Sequence, residues 1–150
     1  MPSSFRRTAV AIVTFVGLVL AFGSPASAAS GGRPFTINLT GTAEVSPQGV
    51  PNQGDPDGSG IANLRINPGH REVCWTIEVT GVDAITAAHI HLAPSTAPGP
   101  VVVPLNPYSG GCTTVTRELA LAIVTDPTSY YVNVHNASYP AGALRGQLSR

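Results

Sequence analysis

Arg71-Glu-Val-Cys-Trp-Thr-Ile-Glu-Val-Thr80 decides the fold. Val73, Trp75, Ile77 and Val79 fall on one parity, and Glu72, Thr76 and Glu78 on the other. Side chains of an extended chain point alternately to opposite faces, so this pattern predicts a half-buried strand with Trp75 in the core. The preceding run, Gly60 to Asn67, alternates too. Ala62, Leu64 and Ile66 share one face, and Ile61, Asn63 and Arg65 the other. Pro68-Gly69 reads as the turn between them, so the two runs make a hairpin.

Outward from the hairpin, further short strands follow. Phe35 to Leu39 alternates in the same way. Val45 to Ser59 is rich in Pro, Gly, Asp and Asn and reads as loop. Thr86 to Leu92 is a strand, and Val101 to Val103 a short one inside the Pro- and Gly-rich stretch Ala93 to Cys112. Thr116 to Thr125 breaks the pattern: Thr116 can cap a helix, Glu118 sits in its first turn, and Asp126-Pro127 ends it. Ser129 to His135 is a strand with Tyr131, Asn133 and His135 on one face, and Ala143 to Leu148 is the last. One short helix among about seven strands predicts an all-β, antiparallel Greek-key sandwich or barrel.

Residues 1–29 read as a secretory signal peptide. Arg6 and Arg7 precede the uncharged run Thr8 to Phe22, and Ala26-Ser27-Ala28 is a small-x-small cleavage site. As a helix that run spans roughly 22 Å, short of the ~30 Å bilayer core, so no stable membrane anchor is expected. Ser30 to Pro34 is a flexible lead-in, and residues 35–150 form one domain. Beyond the leader the chain has six Arg, no Lys and eight acidic residues, a formal charge of −2. No basic patch exists for nucleic acid. No Ser lies in a Gly-x-Ser-x-Gly elbow, and no carboxylate pairs in sequence with a His, so hydrolase chemistry has no support.

Cys74 and Cys112 are the two cysteines. In an exported chain an even pair reads as a disulfide, the alternative being two free buried thiols. Closing that loop stabilises the fold by about 4 kcal/mol in the chain-entropy picture.

His89-Ile90-His91 is the chemical signal. On a strand the two imidazoles share a face about 7 Å apart at their Cα atoms, close enough for one metal ion. His135 ends a later strand on the parity of Tyr131 and Asn133. Three neutral imidazoles converging from two strands would suit copper or zinc and leave a position open. The alternative is three histidines that hydrogen-bond to loops or to each other. Arg145 is either an anchor for an anion or a hydrogen-bond hub for loops.

Several stretches in order resemble the CHRD (chordin) domain: Leu39-Thr-Gly-Thr-Ala-Glu-Val45, Val73-Cys-Trp-Thr-Ile-Glu-Val79, Ala87-Ala-His-Ile-His91, Gly99-Pro-Val-Val-Val-Pro-Leu105, and Tyr130-Tyr-Val-Asn-Val-His135 followed by Pro140-Ala-Gly-Ala-Leu-Arg-Gly146. The resemblance implies an immunoglobulin-like or superoxide-dismutase-like sandwich. It also implies an extracytoplasmic setting, and together with the absence of a nucleophile or a complete metal site it leads to the expectation of an exported, non-catalytic binding or structural module with an extracellular protein or envelope component as partner. His-x-His followed by a late strand ending in His, then Ala-Gly and an Arg, is also similar to the copper side of Cu,Zn superoxide dismutase. That likeness implies copper ligation by His89, His91 and His135, and Arg145 as the anion-holding cation. His91 to Cys112 contains no further His and no Asp, so this alternative is a copper-only protein without a bridging imidazole.

Overall fold

The computed structural model describes residues 31–150; the expected signal peptide lies outside the described residues. Eight strands follow in order: β1 (Arg33–Thr40), β2 (Ser59–Asn67), β3 (Glu72–Thr80), β4 (Ile85–Leu92), β5 (Val101–Pro104), β6 (Gly110–Thr114), β7 (Tyr130–Asn136) and β8 (Leu144–Gln147). One α-helix, α1 (Arg117–Thr125), precedes β7. The strands form one antiparallel sheet in the order β5-β4-β7-β8-β1-β2-β3-β6. The sheet curls on itself, so its concave face encloses the core, and the fold is the expected all-β barrel-like architecture.

The predicted hairpin is β2–β3, with Leu64 opposite Trp75 and Ile66 opposite Val73. Ala62, Leu64, Ile66, Val73, Trp75 and Ile77 are buried. Trp75 also satisfies its one polar group, donating from Nε1 to the Pro107 carbonyl at 3.0 Å. Such a pairing is what lets an indole lie in a core. The Thr116 hydroxyl caps α1 by accepting from the Leu119 N–H at 3.1 Å. Ala120 and Ile123 of that helix enter the core, and Arg33 donates to the Val124 carbonyl at 2.6 Å, tying the helix to the first strand.

Two features differ from the sequence reading. β1 begins at Arg33, ahead of the alternation seen from Phe35. More importantly, the stretch Ala93 to Cys112 ends in a strand, β6, where the sequence predicts loop. Its Gly110-Gly111 start has little intrinsic strand preference, but Gly111 lies opposite Trp75. A Cβ added there would meet the indole at 3.3 Å, so the glycine allows close approach. Cys112 is the direct cross-strand partner of Cys74, and the two are disulfide-bonded. The bond therefore staples an edge strand to its neighbour along the side of the sheet turned away from the core.

Candidate metal centre

β4 and β7 are adjacent, with His89 opposite Asn133, His91 opposite Tyr131, and Ala87 opposite His135. The core-facing parity carries Ala88 and Ile90 in β4, and Val132 and Val134 in β7. The other parity brings His89 and His91 onto one surface with Tyr131, Asn133 and His135. His135 sits diagonally across from His89, within reach of a long side chain. The ring centroids lie 5.0 Å apart for His89–His135, 5.5 Å for His89–His91 and 6.1 Å for His91–His135. One nitrogen from each ring falls within 4.8 Å of the others.

Backbone carbonyls select the nitrogen that each ring presents. His91 Nδ1 is 2.9 Å from the Gly99 carbonyl, and His135 Nδ1 is 3.1 Å from the Pro140 carbonyl. A carbonyl only accepts, so both Nδ1 atoms carry the proton and both Nε2 atoms keep a lone pair. His91 Nε2 is buried and has no partner among the described residues. His89 Nδ1 lies 3.2 Å from His135 Nε2. Two nitrogens bound at 2.0–2.1 Å to a tetrahedral ion sit roughly 3.3 Å apart, so this pair already has the spacing of two ligands on one metal.

The site also favours neutral rings. Burial first, then the charge of neighbouring His89, pushes His135 down to about 4. His89 is lowered by burial and by His91, and His91 mainly by burial. Metal ligation needs neutral imidazole, so these shifts keep the set competent into mildly acidic solution.

A second layer surrounds the rings. Tyr131 stacks on His91 at 4.8 Å with 12° between planes. Its hydroxyl accepts from the Gly99 N–H at 3.2 Å. Arg145, 1% exposed, lies over the Tyr131 ring at 3.5 Å. It donates from one terminal nitrogen to the carbonyls of Pro94 and Ala97, at 2.8 and 3.0 Å. Its other terminal nitrogen is 3.9 Å from a Glu44 carboxylate oxygen. Glu44 in turn accepts from the Asn133 amide and from the Val45 N–H. Of the two roles expected of Arg145, the contacts present are those to loop carbonyls.

His89, His91 and His135 meet, while Cys74 and Cys112 lie on strands at the other end of the strand order. Sequence reasoning did not assign Glu44, Gly99 or Asn133. Asn133 was visible through its parity with Tyr131 and His135. Glu44 and Gly99 lie in loops, where no periodicity marks them.

Fold and site together define an all-β domain with a three-histidine constellation on the face of its sheet opposite the core. The protein-family model of the CHRD domain matches residues 35–148, and the chain belongs to the CHRD domain family. Comparison with curated proteins and with solved structures gives no match.

Proposed function

We propose that this chain is an exported CHRD module that acts by binding, and that its inorganic ligand is one copper or zinc ion held by His89, His91 and His135. The observation that carries the metal is the buried His91 Nε2, which has no hydrogen-bond partner among the described residues, in a ring that joins His89 and His135 in a set with one nitrogen from each within 4.8 Å of the others. A buried lone pair without a partner is costly unless something fills its position, and a metal ion supplies that partner. An imidazole set suits copper or zinc better than calcium or magnesium, which take oxygen ligands.

Binding is favoured over turnover by Arg145. One terminal nitrogen donates to two loop carbonyls and the guanidinium lies on the Tyr131 ring, while the other terminal nitrogen, 3.9 Å from the Glu44 carboxylate, makes no hydrogen bond among the described residues. A cation 1% exposed beneath the loops it secures is out of reach of an anionic substrate in solution. Export is supported by the signal-peptide pattern of residues 1–29 and by the disulfide, which persists in oxidising compartments. Among the described residues no helix is long and apolar enough to cross a membrane. The partner of the exported module would be an extracellular protein or an envelope component.

The test is metal analysis of the purified domain, followed by titration with Cu(II) and Zn(II) of the wild type and of His89→Ala. One equivalent per chain is expected, with the variant weakened at least tenfold. No stoichiometric uptake by the wild type, or equal affinity in the variant, overturns the metal. Localisation is read separately: material cleaved near Ala28 in the culture supernatant is expected, and a membrane-embedded chain beginning at Met1 overturns export.

A further inference from the structure

We infer that Tyr131 and Arg145 are positioning residues for the metal site, acting together through the loop Ala93–Gly99 to hold His91 in the ligand tautomer. The inference rests on the metal reading above and extends it to residues that touch no ion. His91 owes its proton placement to one contact, Nδ1–H to the Gly99 carbonyl. That carbonyl belongs to a loop peptide with no strand ladder to fix it. The opposite side of the same residue is held by the Tyr131 hydroxyl, which accepts the Gly99 N–H. Gly99 is therefore gripped at both its N–H and its C=O, by Tyr131 and His91, which also stack on each other. A Cβ at Gly99 would lie 2.0 Å from the Leu92 carbonyl oxygen, so only glycine fits this approach.

Arg145 fixes the rest of the loop. One of its terminal nitrogens bridges the Pro94 and Ala97 carbonyls, and Gln147, also from β8, donates to the Ala93 carbonyl at 2.9 Å. The guanidinium lies on the Tyr131 ring, and Tyr131 comes from the strand between those that carry His91 and Arg145. His91, Tyr131 and Arg145 thus form a packed series across three adjacent strands, with the loop laid over it. Outer residues that orient a ligand histidine are commonly worth tenfold to a hundredfold in metal affinity.

The experiment uses nitrogen NMR of the imidazoles in the metal-free domain together with Cu(II) and Zn(II) titrations. In the wild type at neutral pH His91 is expected as a single Nδ1–H tautomer. Tyr131→Phe keeps the stacked ring and removes only the hydroxyl. It is expected to give His91 a mixture of tautomers, to leave the His135 tautomer unchanged, and to raise the metal Kd by about tenfold or more. Arg145→Lys keeps the charge beside Glu44 but loses the planar guanidinium that lies on the Tyr131 ring and holds its donor nitrogen under the loop, and it is expected to shift both readouts the same way. A general loss of structure would disturb all three histidines, whereas the positioning role disturbs His91 alone. A Tyr131→Phe domain with an unshifted His91 tautomer and an unchanged Kd overturns the inference even if the wild type binds metal. A wild type that binds no metal, with the tautomer still shifted by Tyr131→Phe, supports the clamp and overturns the metal reading instead.

Discussion

β3 and β7 belong to the same sheet and treat the face turned away from the core in opposite ways. In β3, Val73, Trp75 and Ile77 are buried while Thr76 and Glu78 of the other parity are exposed to solvent. In β7, Val132 and Val134 fill the core, yet Tyr131 and Asn133 of the other parity are only 3% and 1% exposed. The difference is a second layer of loops. The segment holding Glu44 and the loop 93–99 lie over β7 and β8, and among the described residues no such cover lies over Thr76 and Glu78 of β3. Water satisfies polar groups on the open face. Under the loops each polar group needs a protein partner or a ligand. That is why His89, His91 and His135, the buried Arg145–Glu44 pair and the unpaired His91 Nε2 occur on the covered side, whereas the hairpin carries only His70, exposed in its turn.

The largest way to break this contrast is Arg145→Met. It leaves the Glu44 carboxylate buried without its cation and two loop carbonyls without donors, which together should cost about 3–5 kcal/mol in urea unfolding. A variant as stable as the wild type would mean that the covering layer contributes nothing to the fold. Replacing both Cys74 and Cys112 with Ala should cost about 2–4 kcal/mol. It should leave the His91 tautomer unchanged, because the bond lies on the uncovered part of the sheet. Combined with Arg145→Met, the two losses should add, since the sites share no partner. A strong departure from additivity would show that the two regions are coupled.

Acid should act on the covered region. His135 is held at about 4 against an ordinary 6.5, so the folded state stays neutral where the unfolded chain already takes up a proton. The stability of the metal-free domain is therefore fully present above about pH 6.5 and falls as the pH drops toward about 4. The urea midpoint should decline across that window, and His135→Asn should flatten the decline. An unchanged slope in that variant would remove His135 as its source. The smallest effect belongs to the open face: Glu78→Gln should change stability by no more than about 0.5 kcal/mol in the same assay.

What the sequence determined by itself is local. Strand parity follows from the period of two, so the faces of β2, β3 and β7 were legible from Ala62, Val73 and Val132 and their neighbours. The helix start at Thr116 was legible because one hydroxyl caps one nearby N–H. The shared face of His89 and His91 follows from the same parity. The tertiary structure decided the rest. Gly110-Gly111 becomes strand only because Trp75 and Cys74 stand opposite to receive β6. β4 and β7 become neighbours across the 37 intervening residues 93–129, which brings His135 to His89. The loops that bury Tyr131, Asn133 and Arg145 carry no period of their own, and their cover over β7 depends on contacts between residues far apart in the chain. Alternation reports which way a side chain points from its own strand, whereas the burial of both faces depends on what the rest of the chain lays over that strand.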